Sequence, residues 1–497
     1  MPAELTPYPE HETSAGRRPR PAPAVIAAGL AVFLAFVILL SYTMNMASME
    51  VSLTLALCAV LAFLCFVRLR WALYVLVFAC LFSPELEIGG VLSRAAKRPI
   101  TIRIEDILLL IIVFTWLARA AVQKELGLML RTPLNRPIFR YAAACALATA
   151  VGVAYGWVRP PDQVAAGLFV LKYIQYFVLF FMIVNHIETR RDVRNLFIAV
   201  VVTYAAVCIY CLAQVPEGGR LTLPSEYHGE PNTLAGYLLL MIGVCSGLLL
   251  FARSGAHKLF WGLLAAVGVV LLAYTLSRSG WAGLVGVIAV LAMFGRRRFI
   301  VLSATLLVIL TFALTSFDTS WMPRRVEERW RETMGQATGY AGVEPVVLMG
   351  FRLDPSASLR YQSYAKALDT WGTRSVRYWV PALTGSGVLG AQTFVDGQYV
   401  RVVTETGLLG LFAFIALLVA IWRHVWTSYL RLRKPWYRGL ALGYLAGFAG
   451  LLVHALAANT FIIVRIMEPF FILTGIVALL PVMERAESSP PTATTTD

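Results

Sequence analysis

Arg220, His228, Arg278, Arg360, Asp396, Tyr399 and Glu405 are the residues whose types and spacing could do chemistry in this chain of 497 residues. A guanidinium stays charged and donates two parallel hydrogen bonds, a geometry that matches phosphate. A carboxylate within hydrogen-bond reach can take the proton of an attacking hydroxyl. Gathered beside lipid, such groups suit a substrate that is half lipid and half anion, for example a polyprenyl diphosphate. Each residue also has a plainer reading. Arg278, in SRSGW (277–281), either snorkels as an interfacial anchor or binds an anion. Arg220, in GGRLTLPSEYHGEPNTLAGY (218–237), has the same two readings. Asp396 and Glu405 are either solvated charges or working groups. Glu405 runs straight into TGLLGLFAFIALL, and an ionisable group at that depth is expensive and usually functional. His228 reads as a polar loop residue close to Arg220, and His454 as hydrogen-bonded packing.

Membrane spans must hold these side chains. The chain is 59% hydrophobic and only 14% charged, with apolar runs long enough to cross a bilayer. Its net charge of +15 comes from basic residues in short loops between those runs, the pattern that orients spans, so a nucleic-acid partner is not expected. All seven cysteines fall in apolar segments, and no loop carries a CxxC or Cys/His cluster, which excludes a disulfide framework and a zinc site. LTGSGVLG (383–390) lacks the GK[ST] ending and preceding strand of a nucleotide loop. No metal or cofactor is expected.

Windows of about 20 apolar residues fall near 24–45, 50–67, 71–83, 105–121, 139–157, 164–185, 195–214, 232–252, 258–276, 281–295, 299–317, 402–422, 439–457 and 462–481. The expected fold is therefore an all-α polytopic integral membrane protein of about fourteen spans, with one long loop between the eleventh and twelfth. The chain divides into a disordered cytoplasmic tail (1–23), eleven spans (24–317), a loop carrying the catalytic residues (318–401), three spans (402–481) and a second cytoplasmic tail (482–497). Within the loop, Ser358–Gly390 reads as an amphipathic helix followed by a Gly/Ser turn. The basic loops put both termini in the cytoplasm and the long loop outside. Arg94, Lys97, Arg98 and Arg103 break that rule: either the third span is misplaced, or these residues meet something anionic. No internal repeat and no ionisable group near mid-membrane is read, which speaks against a transporter or flippase.

A sequence pattern ties these readings together. In order, IRIEDILLL (102–110), GRLTLPSEYHGEPNTLAGYL (219–238), LSRSGWAGL (276–284), the S…LR of 358–360, LTGSGVLG (383–390) and DGQYVRVVTETGLLGL (396–411) resemble the O-antigen ligase-like family of O-antigen ligases and polysaccharide polymerases. The resemblance runs from about Arg103 onward. It implies a metal-independent glycosyltransferase of the bacterial inner membrane, acting at the periplasmic face. The donor would be an undecaprenyl-diphosphate-linked oligosaccharide, and the acceptor a sugar hydroxyl. It implies that Arg220 and Arg278 bind the diphosphate. Arg360 is a third candidate for that role. Asp396 is the first choice of base and Glu405 the second, with Tyr399 and His228 orienting sugar. Family ligases end the loop in a motif like HNxYL. Here Asp396-Gly397-Gln398-Tyr399 stands instead, with no loop histidine, which is closer to polymerase members. The expected function is thus repeat-unit polymerisation of O-antigen or exopolysaccharide. An O-antigen ligase or protein O-oligosaccharyltransferase is the alternative, and a flippase ranks lower. Membrane lipids, a repeat-unit flippase and a chain-length regulator are the expected partners.

Overall fold

In hydrocarbon every backbone N–H and C=O must be satisfied within its own segment, so long apolar runs become helices. The computed structural model describes residues 69–83, 85–93, 98–103, 105–113, 132–217, 220–224, 230–295, 346–348, 351–352, 355–391 and 395–488. Its helices are α1 (Leu69–Phe82), α2 (Asn135–Ala154), α3 (Gln163–His186), α4 (Arg190–Gln214), α5 (Pro231–Phe251) and α6 (Gly255–Tyr274). They continue with α7 (Arg278–Phe294), α8 (Pro355–Tyr378), α9 (Val380–Thr384), α10 (Gln398–Arg431), α11 (Pro435–His454) and α12 (Val464–Ser488). Eight of these helices are long and apolar enough to cross a membrane, and α1 and α7 are shorter apolar helices. The protein is an all-α polytopic membrane protein, as its apolar runs require.

Ten expected spans correspond to these helices, and residues 105–113, at the start of another, are helical. The expected spans 24–45, 50–67 and 299–317, the tail 1–23, the loop residues 318–345, the last residues 489–497 and His228 lie outside the described residues. Helix α10 differs from its expected bounds of 402–422. It takes in the polar turns on either side of the apolar run, because Gln398 to Arg401 and Arg423 to Arg431 keep helical bonding after the hydrophobicity has ended. Two short antiparallel hairpins were not foreseen. They are β1 (Glu85–Ser93) with β2 (Arg98–Arg103), and β3 (Val347–Leu348) with β4 (Phe351–Arg352).

Helices α5 and α11 meet along a seam of glycines. A Cβ on Gly443 would lie 2.7 Å from the Gly243 carbonyl oxygen, and one on Gly447 the same distance from that of Leu240. Small residues let two backbones approach where lipid supplies no hydrophobic drive to pair them. Helix α7 joins this pair through Gly283, whose Cβ would stand 2.9 Å from the Gly450 carbonyl. Exposed Leu259, Leu263, Val285, Met293 and Phe412 form part of the lipid-facing surface. At one end of the bundle Glu487 accepts from Arg190 at 3.0 Å and also pairs with Lys434. At the other end gather the segments 220–224, 275–278, 385–391, 395–398 and 455–463, and with them most of the candidate residues.

Candidate functional site

Two helix starts meet in the first part of the site. Ser277 caps α7 by accepting from the Gly280 N–H at 3.2 Å, and its hydroxyl donates to Asn232 Oδ1 at 2.7 Å, in the first turn of α5. The unsatisfied N–H groups and positive dipole end of a helix start favour anions, and here two lie side by side. Leu276 just before them has φ 53°, a conformation that bulky residues rarely adopt. Arg220 reaches this turn from the preceding loop, donating through Nε to the Thr275 carbonyl (3.2 Å) and through Nη2 to that of Leu276 (3.3 Å). Arg278 is the first residue of α7. Residues 58 positions apart thus bring both arginines to one corner. Part of Arg220's fork is spent on the turn, which fixes where its charge sits.

The second part lies at the start of α10. Asp396 accepts from Arg360 Nε of α8 at 3.4 Å, with the two side chains 39% and 23% exposed. Gly397 has no side chain because Tyr364 fills the space: a Cβ would lie 2.7 Å from the phenol ring. The Tyr364 hydroxyl donates to the Leu456 carbonyl at 3.3 Å. Burial pushes this phenol above its ordinary pKa, against the pull of Arg360 and with a further push from Asp396. Asp396 is therefore a partly exposed carboxylate set between a cation and an aromatic hydroxyl.

The other acidic candidate is engaged. Glu405 is 7% exposed and accepts from Arg401 Nε at 3.1 Å, one helical turn earlier. Its Oε1 also faces the Leu389 N–H at 3.4 Å, while its carbonyl takes the Gly387 N–H at 2.9 Å. Helix α10 kinks just beyond, at Gly407 (φ 63°), and LTGSGVLG docks into the kink. Glu405 thus fastens the Gly/Ser turn to the helix. Tyr399 is similarly occupied, donating to the Leu452 carbonyl of α11 at 3.0 Å.

A chain of contacts joins the two parts. Gly236, one turn into α5 from Asn232, faces Ile466 of α12 and the His454 ring, whose Cε1 would lie 3.6 Å from a Cβ there. His454 is fully buried, pairs through Nδ1 with Thr460 Oγ1 at 2.7 Å and lies near enough to Arg360 to feel its charge. Three hydrogen bonds fix the segment beyond α11 against the start of α10, Gln398 N to Ala455 O (3.1 Å), Asn459 Nδ2 to Val395 O (2.7 Å) and Phe461 N to Gln398 Oε1 (2.9 Å), and that of Tyr364 ties the same segment to α8. The packing expected of His454 is what the structure has.

Sequence reasoning missed Arg465 and Glu468, both fully buried in α12. It also missed Glu105, at the start of the helical stretch 105–113 and equally buried. Glu468 accepts from Gln175 at 2.9 Å, Asp106 pairs with Lys172 at 3.3 Å, and Arg103 stands 3.6 Å from Glu105. Arg465, Glu468 and Glu105 all sit in the first or second turn of their helices, so they leave untouched the reading that no ionisable group lies near mid-membrane. The signal was present as VRIMEPF (464–470), where an arginine and a glutamate interrupt an apolar run. Among the described residues, no group of three or more His, Cys, Asp or Glu is arranged to hold a metal ion. Compared with known proteins, the chain matches no protein-family model and no curated protein.

Proposed function

We propose that the protein is a glycosyltransferase that polymerises lipid-linked repeat units. It would take an undecaprenyl-diphosphate-linked oligosaccharide as donor, at the periplasmic face of a bacterial inner membrane. The observation that carries this reading is the corner where Arg220 meets the turn leading into Arg278 and two helix starts face each other. Such a corner favours a compact anion with several negative oxygens. Apolar helices around it offer lipid depth for a prenyl chain.

The step is a displacement at the anomeric carbon of the donor sugar. The acceptor hydroxyl oxygen forms the new C–O bond, and the bond from the anomeric carbon to the diphosphate oxygen breaks with its electron pair. Charge grows on the leaving diphosphate, so cations fixed in advance stabilise the transition state more than the ground state. Arg220 and Arg278 fill that role. The hydroxyl proton passes to Asp396, which is partly exposed and returns it to water. Arg360 holds the Asp396 carboxylate in place and adds positive charge beside the base. Glu405 keeps the Gly/Ser turn seated, and Tyr399 ties α10 to α11.

Purified protein in detergent, supplied with lipid-linked repeat units alone, should build polymer and release lipid diphosphate. A deletion strain should accumulate single repeat units on lipid. Long polymer that persists on its carrier but is never passed to another acceptor would instead identify a ligase.

A further inference from the structure

Arg465 of α12 is a fully buried charge that the chemistry above leaves unused. Its Nη1 donates to the Pro224 carbonyl at 2.6 Å and its Nη2 to the Ser83 carbonyl at 3.0 Å. Ser83 closes α1, and Pro224 follows Arg220 by four residues in the stretch before α5. That segment is fastened at each step. Arg220 and Leu221 bond to the 274–276 turn, Gln214 brackets Thr222 with bonds of 3.3 and 3.0 Å, and buried Leu221 and Leu223 face inward. These ties come from α4 and from the turn between α6 and α7. Arg465 reaches across 241 and 382 residues of sequence to make its two bonds.

A buried arginine in a span is expensive, and any neutral donor could satisfy one carbonyl. A planar fork holds its donors at fixed spacing and reaches two carbonyls from separate segments at once, whereas a compact ammonium on a flexible stem does not reproduce that spacing. Resting on the diphosphate reading of the Arg220–Arg278 corner, we propose that Arg465 is a positioning residue for that corner. By fixing Pro224 against the end of α1, it sets the backbone from which Arg220 reaches the turn. Its fork geometry matters here, and its charge alone does not suffice.

The full-length protein would be studied as Arg465→Lys and Arg465→Met, with Arg220→Ala for reference and Pro224→Gly to loosen the same segment. The readings are KM for lipid-linked donor, KM for acceptor, kcat per folded molecule, inhibition by farnesyl diphosphate, and thermal melting. Arg465→Lys should raise donor KM and weaken farnesyl diphosphate inhibition about tenfold, close to the effect of Arg465→Met, as expected when bonds from a charged donor are lost. Acceptor KM should stay put. A role only in holding the fold would lower the amount of active protein and leave donor KM alone. Arg465→Lys that melts and binds like the parent overturns the proposal. If Arg465 variants do not fold, Pro224→Gly decides: a raised donor KM supports it, and a parental one overturns it. If Arg220→Ala also leaves donor KM unchanged, the diphosphate reading itself fails; if Arg220→Ala raises it and Arg465→Lys does not, only the positioning role fails.

Discussion

Asp396 and Glu405 share one short segment and have opposite surroundings. Asp396 is partly exposed and pairs with Arg360, whereas Glu405 is enclosed by Arg401 and the backbone of the Gly/Ser turn. Asp396→Asn should therefore cut turnover by about 10²–10⁴-fold, the usual worth of a general base, while donor binding and melting temperature hold. Glu405→Gln should do the reverse, lowering melting temperature because Arg401 loses its partner in a closed site, with a smaller effect on turnover per folded molecule. Both are checked by polymer formed from lipid-linked units beside a melting curve, and equal turnover in the two variants would remove Asp396 as base. Arg278→Lys should cost about a hundredfold in rate, because a point charge does not reproduce a fork on phosphate. Parental turnover there would leave Arg278 as an interfacial anchor. The sequence held a signal of the difference that was not read: Arg401 and Glu405 stand four apart on a helix, the spacing of a pair. The bond from Leu389 could not be read, since it depends on a turn folding back onto the helix.

Elements with a strong period were readable, and the points where they bend were not. The amphipathic helix α8 and the apolar runs appear as written, while the kink in α10 at Gly407 does not show in TETGLLGL. Gly407 adopts φ 63° and ψ −167°, a region open essentially to glycine, and a Cβ there would overlap the Leu383 carbonyl. Gly407→Ala should cost at least about 1–3 kcal/mol from the backbone alone, and more from the overlap. The expected result is a lower melting temperature with LTGSGVLG unseated, seen as faster proteolysis within that turn. Gly372 of α8 provides the contrast, since it is helical and a Cβ there meets nothing within 4 Å. Gly372→Ala should leave activity alone and stabilise the helix by about 0.5–1 kcal/mol. If Gly407→Ala melts like the parent, the kink is not what holds the turn.

Across the whole molecule most of the candidate groups collect at one end because segments far apart in the chain are tied there. Ser83, Pro224 and Arg465 meet through one guanidinium, and the starts of α5 and α7 through one hydroxyl. No local pattern announces such meetings, so the sequence could supply the members of the site without their arrangement. The proposed function puts that end at the periplasmic face, with Arg190, Lys434 and Arg438 at the opposite end, where the charge rule expects basic loops to be cytoplasmic. A cysteine at Asp369, exposed on α8, should then react with an impermeant maleimide in cells whose outer membrane is permeabilised. One at Arg433, exposed between α10 and α11, should react only after lysis. The described native cysteines, Cys80, Cys145, Cys208, Cys211 and Cys245, are all buried and should contribute little background. The two sites differ in side but both are solvent-facing, so unequal accessibility does not explain a difference between them. Labelling at Arg433 in intact cells with none at Asp369 would turn the molecule over. The arginine corner would then face the cytoplasm, where the proposed donor presents no exported glycan, and the polymerase reading would fall with it.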